Sequence, residues 1–179
     1  AGIVPDVILI SKAVGGGQPL SVVVYDKALD LWGPGAHAGT FRGNQLAMAA
    51  GTVVINRIKT PEFLAEVTRK GELMTLRLMK LKDETAIIGD IRGRGLMIGI
   101  EFIDPKGPKD VMGIPEPSGD IASKIQHICF DNGLIMEKGG RNGSVMRCLC
   151  ALNITDDEID RALTIFENAV REVDRNVGV

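Results

Sequence analysis

The sequence predicts an α/β protein: a strand-bearing first segment, a long helix suited to connecting domains, and a small α+β domain after it. Three observations lead there. Short runs of β-favouring residues alternate with stretches of helical period, one helical period continues unbroken from Pro61 to about Lys82, and the strands and helices beyond it are short and closely spaced.

Val7 to Ile10 is a run of four apolar residues, read as a strand buried on both faces, and Ser21 to Tyr25 as a second buried strand after the Gly15-Gly16-Gly17 break. A Gly/Pro-rich loop, Trp32 to Thr40, follows. Asn44 is a good N-cap for a helix through Lys59, whose expected apolar face is Leu46, Ala50, Val53, Val54 and Ile58. Thr60-Pro61 ends that helix and starts the long one, with Phe63, Leu64, Val67, Leu73, Leu76 and Leu81 at helical spacing. Leu96 to Ile103 reads as one strand, and Asp104 to Ser118 as a Pro/Gly-rich loop. Gly119 to Asp131 reads as a helix, and Leu134 to Glu137 and Val145 to Leu149 as short strands. Thr155-Asp156-Asp157-Glu158 is a capping box for a last helix with its core face at Ile159, Leu163, Phe166 and Val170.

Composition narrows the function classes. The chain has 179 residues, 21 Lys and Arg against 23 Asp and Glu, and is 45% hydrophobic and 25% charged, an ordinary globular balance rather than a disordered or fibrous one. With a net charge of −2 and no block of Lys and Arg, nucleic acid is not an expected partner. Leu46 to Ile55, the longest nearly apolar stretch, is far short of a membrane span, and no secretory signal opens the chain. The residues from Ala1 to Asp6 run straight into a strand without an initiator methionine, so a piece of a longer polypeptide is expected. Three cysteines, Cys129, Cys148 and Cys150, are too few and odd in number for a disulfide framework, which points to a reducing compartment, the cytoplasm.

Three residues stand out chemically. Lys12 sits where a strand ends and a triple-glycine turn begins, and a partly desolvated amine there can act as a Schiff-base former; a solvated strand-closing lysine is the plain alternative. Thr40 lies in His37-Ala38-Gly39-Thr40-Phe41-Arg42-Gly43-Asn44, just before a helix N-terminus. A hydroxyl and flexible amides there suit a phosphate, or simply a capped start of the helix. Arg147 is set among apolar strand neighbours and must be paired, either by a substrate carboxylate or by Glu101 or Glu137. Other constellations fail. Gly93 to Gly99 has one residue too many for a dinucleotide fingerprint, His127, Cys129, Cys148 and Cys150 lack zinc-finger spacing, and two histidines give no support to a Ser-His-Asp hydrolase. No metal site is expected.

Taken in order, these segments resemble the C-terminal part of a class III, fold type I, pyridoxal-phosphate (PLP) aminotransferase. Pro5 to Ala13 is similar to the family's cofactor-lysine segment, Gly39 to Asn44 to its phosphate loop, and Asp90 to Glu101 to the first strand of its small domain; Arg147 falls on its substrate-carboxylate arginine. Within the class, His37 to Gly51, Ile103-Asp104-Pro105 and Gly139 to Val145 resemble the subgroup acting on 2,4-diaminobutanoate and 2-oxoglutarate; an ornithine, acetylornithine or 4-aminobutyrate enzyme, or a non-catalytic α/β binding module, are the other readings. The resemblance implies residues 1–60 as the end of the large PLP-binding domain, 61–82 as the connecting helix and 83–179 as the small domain. It implies PLP held by Lys12 and, from the neighbouring subunit of a homodimer, by Thr40, with Arg147 clamping the carboxylate of small amino-acid and 2-oxo-acid substrates. It also implies that the aspartate facing the pyridine nitrogen and the aromatic stacked on the ring lie outside these residues. Transamination by the chain alone is therefore not expected, and the Val7 and Val22 strands are expected to have open edges. Where the family usually shows an aromatic residue, a leucine and two prolines after the arginine, this chain has Cys148-Leu149-Cys150-Ala151 and lacks those two fixed φ angles.

Overall fold

Strands and helices follow one another here as local signals set them, and the computed structural model describes residues 2–178. Ala1 and Val179, the outer ends of the two predicted domains, lie outside the described residues. The chain divides into two compact units whose boundary falls between Leu64 and Ala65.

In the first unit β1 (Val7–Ile10) pairs antiparallel with β2 (Val22–Tyr25), Val7 opposite Tyr25 and Ile10 opposite Val22. The expected burial of these strands is not observed: all four β1 residues are exposed, because β1 and β2 pair only with each other among the described residues. Between the strands, a 3-10 turn over Lys12–Gly15 tucks in Val14 and Gly15. Helix α1 (Gln45–Ile58) is capped as predicted, with Asn44 Oδ1 accepting from the Leu46 and Ala47 amides at 3.0 and 3.2 Å. Its inner face is rotated from the predicted one. Ala47 and Gly51 are buried, whereas Leu46 and Val53 are exposed, because Gly51 lets the helix approach Leu20 and the Val14 carbonyl.

The second unit is a four-stranded antiparallel sheet with helices on one face. The sheet order is β3 (Ile88–Arg94), β4 (Met97–Phe102), β6 (Val145–Leu149), β5 (Glu137–Gly139). The single strand predicted over Leu96 to Ile103 is the second half of a hairpin, since Gly95 at φ +55° supplies the left-handed residue of a tight turn after β3. The predicted Leu134 to Glu137 strand is displaced toward the C-terminus as β5, while β6 and α3 (Gly119–Asp131) have their predicted bounds. Burial alternates along β4, with Ile98, Ile100 and Phe102 inward and Met97 outward.

Three helices cover the inward face: α2 (Pro61–Glu84), α3 and α4 (Asp156–Gly178). Met74, Leu78 and Leu81 of α2, Ile125 of α3 and Ile159, Leu163, Phe166 and Val170 of α4 close one core with Ile98, Ile100, Phe102 and Met146. For α4 the predicted core face is the observed one, and its capping box forms, with Thr155 N donating to Glu158 Oε2 at 2.8 Å and Glu158 N to Thr155 Oγ1 at 3.2 Å. For α2 the face differs: Leu73 and Leu76 point to solvent, and Lys70 and Gly71 are buried. Gly71 is where the helix meets the hairpin turn, so closely that a Cβ there would lie 2.3 Å from the Gly95 carbonyl oxygen. Lys70 is satisfied by donating to the Ile154 carbonyl at 2.6 Å, and Glu66 lies 3.3 Å from its ammonium.

Candidate functional site

The chemistry-bearing residues are divided between the two units. Lys12 follows directly on β1, in the left-handed region at φ +60°; the other non-glycine residue with positive φ among those described is Asn142. A lysine gains nothing from that conformation and costs on the order of 1 kcal/mol in it, so the surrounding turn imposes it. The partial desolvation expected of its amine is not seen in this chain, where Lys12 is exposed. Its neighbour Ser11 is tied across the hairpin to Ser21, Oγ to Oγ at 3.2 Å.

Thr40 is exposed in a turn closed by Arg42 N donating to the Gly39 carbonyl at 3.0 Å, with Gly43 at φ +73° completing the turn into α1. Asn44 already occupies two amides at the start of that helix, so the Thr40 hydroxyl, rather than those amides, is a donor the loop can present. Beside β2 lies an open concavity of about 650 Å³ that sequence reasoning did not single out, lined by Ser21, Tyr25, Asp30, Trp32, His37 and Arg42. Tyr25 donates to Asp30 Oδ1 at 3.0 Å, which raises its phenol pKa, and Trp32 meets the His37 ring edge-on at 5.6 Å. The available signal was composition: these are the only Trp and Tyr in the sequence.

In the second unit Arg147 stands on the sheet face opposite the helices, with Gly99 of β4 on one side and Glu137 of β5 on the other. Of the two carboxylates open to it from sequence, Glu137 is the partner, 2.7 Å from Arg147 Nη2; Glu101 pairs instead with Arg92 at 2.6 Å, where Asp90 first and Glu101 second raise the Arg92 pKa. Gly139 leaves the guanidinium its space, since a Cβ there would lie 3.1 Å from Nη2. Strand glycines of this kind mark close approach and are visible in sequence, but nothing in sequence ties them to Arg147. The Arg147–Glu137 pair is 41% and 55% exposed at its two side chains, so it is weak and exchangeable, while Arg147 Nε is buried without a hydrogen-bond partner among the described residues. A guanidinium with a spare donor and a displaceable counter-ion is suited to an incoming carboxylate.

Arg147 also reaches the rim of a second cavity, of about 280 Å³, whose lining includes Met74, Met136, Cys148, Cys150 and Ile154. Burial pushes the Cys148 thiol up to about 12, with a further contribution from Cys150, and the Cys129 thiol up to about 11. Among the described residues no group of three or more His, Cys, Asp or Glu is placed to hold a metal ion, and no helix is long and apolar enough to cross a membrane.

Comparison with known proteins covers the segments that contain these residues. The sequence pattern of the family "Aminotransferase class-III" matches residues 1–170. The diaminobutyrate–2-oxoglutarate aminotransferase of Rhizobium meliloti (strain 1021) is 50% identical over 178 residues, 99% of this chain and 38% of that protein. The enzyme of the same name from Haemophilus influenzae is 44% identical over 170 residues, 95% of this chain and 37% of its own length. Among solved structures, a transaminase from the marine bacterium Virgibacillus superposes with a TM-score of 0.83 at 24% identity, over 98% of this chain and 41% of that one, a likeness of fold. The chain thus spans less than two fifths of the length of these two curated relatives.

Proposed function

The chain belongs to the class III aminotransferases, and we propose that the enzyme it forms part of is a PLP-dependent diaminobutyrate–2-oxoglutarate transaminase. It would move the 4-amino group of L-2,4-diaminobutanoate to 2-oxoglutarate, giving L-aspartate 4-semialdehyde and L-glutamate. The observation that carries this reading is identity of 50% and 44%, over nearly all of this chain, with two proteins of that name. In this reading residues 1–60 end the large PLP-binding domain, 61–82 connect, and 83–179 form the small domain. The three free thiols accord with a reducing, cytoplasmic setting.

The donor set fits the cofactor. Lys12 offers a primary amine that makes no ion pair among the described residues, on a backbone held in an unfavourable conformation, and Thr40 offers an unburied hydroxyl. Bound PLP supplies an aldehyde that condenses with primary amines and a ring that accepts the electron pair freed at the substrate carbon. Lys12 is the residue type that can hold that aldehyde and, once released, take a proton from the substrate carbon as a neutral amine and return it as an ammonium. The Thr40 hydroxyl would donate to a phosphate oxygen, in a homodimer whose subunits each complete the other's site. Arg147 would exchange Glu137 for the carboxylate of glutamate or 2-oxoglutarate, its Nε gaining the acceptor it lacks.

Borohydride reduction of the full enzyme loaded with PLP should mark Lys12, and Lys12→Ala should abolish the visible absorbance of the bound cofactor. A labelled lysine elsewhere refutes that role. In a panel of amino donors against 2-oxoglutarate, 2,4-diaminobutanoate should give the highest kcat/KM; a preference for ornithine or 4-aminobutyrate overturns the substrate assignment.

A further inference from the structure

Beside Arg147 the sheet of the second unit opens at its edge. The last pair between β5 and β6 is Glu137 with Arg147, so Cys148 and Leu149 pair with Ile98 and Met97 of β4 and have no β5 partner on their other side. The cavity of about 280 Å³ lies at that opening, its lining running from Glu137 and Arg147 past Cys148 to Met74 of α2 and to Ile159 and Phe166 of α4. Its interior offers a ligand little polar chemistry. The Met136 carbonyl is already taken by Gln126 Nε2 at 2.8 Å, and the Ile154 carbonyl by the Lys70 ammonium at 2.6 Å. Burial raises the Cys148 and Cys150 thiols, so both stay protonated and uncharged. The two charges of the lining stand together at the mouth. They are Arg147, whose Nε is buried without an acceptor among the described residues, and its half-exposed counter-ion Glu137.

We propose that Arg147 and this cavity together bind a monocarboxylic acid with an apolar chain, its carboxylate on the guanidinium and its chain inside. The incoming carboxylate takes the place of Glu137 on Nη2 and also reaches the unpaired Nε, a two-point contact that Glu137 does not make. Glu137 is exposed already and returns to water with little loss. The chain leaves water for hydrocarbon and sulfur, which tightens binding by about fourfold for each methylene buried. A space of about 280 Å³ corresponds to roughly nine water-sized groups, so it fills at a chain of about six to eight carbons. The second carboxylate of 2-oxoglutarate has no partner in that interior, so the dicarboxylate gains nothing from it. The consequence for the enzyme rests on the reading of Arg147 as its substrate-carboxylate arginine: apolar acids then occupy the same guanidinium as 2-oxoglutarate and compete with it.

The test is calorimetric titration of the full enzyme with butanoate, hexanoate, octanoate and decanoate, beside inhibition of transamination at varied 2-oxoglutarate. Affinity should rise about 15-fold from butanoate to hexanoate and level off by decanoate. 1-Hexanol, which carries the chain without the charge, should bind about 10-fold or more weaker than hexanoate. Glu137→Gln should tighten hexanoate by about threefold, because the competing carboxylate is gone. Ala162→Phe, which fills the cavity from α4, should weaken hexanoate by about 10-fold and leave butanoate little changed. Should that variant fold poorly, Met136→Ala enlarges the cavity instead, and affinity should then keep rising from octanoate to decanoate. A flat chain-length series, 1-hexanol bound as tightly as hexanoate, or parent affinity for hexanoate in a folded Ala162→Phe variant would each overturn the pocket. Hexanoate bound with the expected series but without raising the KM for 2-oxoglutarate upholds the pocket and refutes the substrate role of Arg147. A donor panel that favours ornithine changes the reaction assigned and leaves the series as it stands.

Discussion

Replacing Gly71 by alanine sets two opposed effects against each other, and the structure decides the sign. In an exposed helix interior, glycine to alanine stabilises by about 1 kcal/mol, because the unfolded chain loses freedom and the helix gains a better former. At Gly71 the new Cβ would meet three backbone atoms of Gly95, the oxygen at 2.3 Å, the carbonyl carbon at 2.5 Å and Cα at 2.8 Å. None is the tip of a flexible side chain. Ordinary contact requires α2 and the β3–β4 turn to separate by roughly 1 Å, and overpacking of that kind costs typically 1–3 kcal/mol. With three backbone contacts under 3.0 Å the cost falls in the upper half of that range, about 2–3 kcal/mol, so the net expectation is a loss of about 1–2 kcal/mol in the transition of the second unit. Urea denaturation of Gly71→Ala, followed by far-ultraviolet circular dichroism, should show a lowered midpoint with an unchanged slope. Leu76→Ala on the same helix is the control: its side chain is 72% exposed, so its truncation should move the midpoint little. A Gly71→Ala variant as stable as the parent, or more so, would refute the close approach, and a large loss at Leu76 would restore the helix face expected from sequence.

Other outcomes follow from the same geometry. Phe166→Ala, removing a fully buried ring 6.4 Å from that of Phe102, should cost about 3–5 kcal/mol in the same denaturation measurement; a loss under 1 kcal/mol would contradict the shared core. Arg69, bonded to both Glu66 oxygens at 2.7 and 2.8 Å, holds that carboxyl down at about 2. A carboxyl depressed in the folded state stabilises fully above its unfolded value near 4.5, and that contribution is lost as pH falls toward 2. Glu66→Gln should thus be less stable than the parent at neutral pH and converge with it toward pH 2, and a constant gap in urea midpoint across that window refutes the pairing. A thiol raised to about 12 is only roughly one part in ten thousand thiolate at pH 8, so Cys148 should react slowly with a disulfide reagent until urea exposes it; rapid reaction in the native state would contradict its burial.

What sequence alone determined about this chain is what a few neighbouring residues settle among themselves. The starts of α1, α3 and α4 are of this kind, since Asn44, Ser118 and Thr155 reach amides two or three residues ahead, whatever lies beyond. Lys12, Thr40 and Arg147 stood out from the same kind of local signal, as residue types set in short motifs, and the roles given to them are proposals. Tertiary structure decided which groups find each other across the fold. Leu73 and Leu76 have helical spacing yet face solvent, because Gly71, not a leucine, permits α2 to touch the Gly95 turn. The β1 run looks like buried strand, but burial belongs to whatever covers it, and among the described residues β1 pairs only with β2. Glu101 and Glu137 were equal candidates for Arg147 until strand register gave the first to Arg92. Met74, Met136, Cys148 and Cys150, far apart in sequence, line one cavity only because the fold brings their segments together. Hydrogen bonds over three residues are set by the covalent chain, whereas burial and pairing over eighty depend on how faces pack, and no local run of residues carries that information.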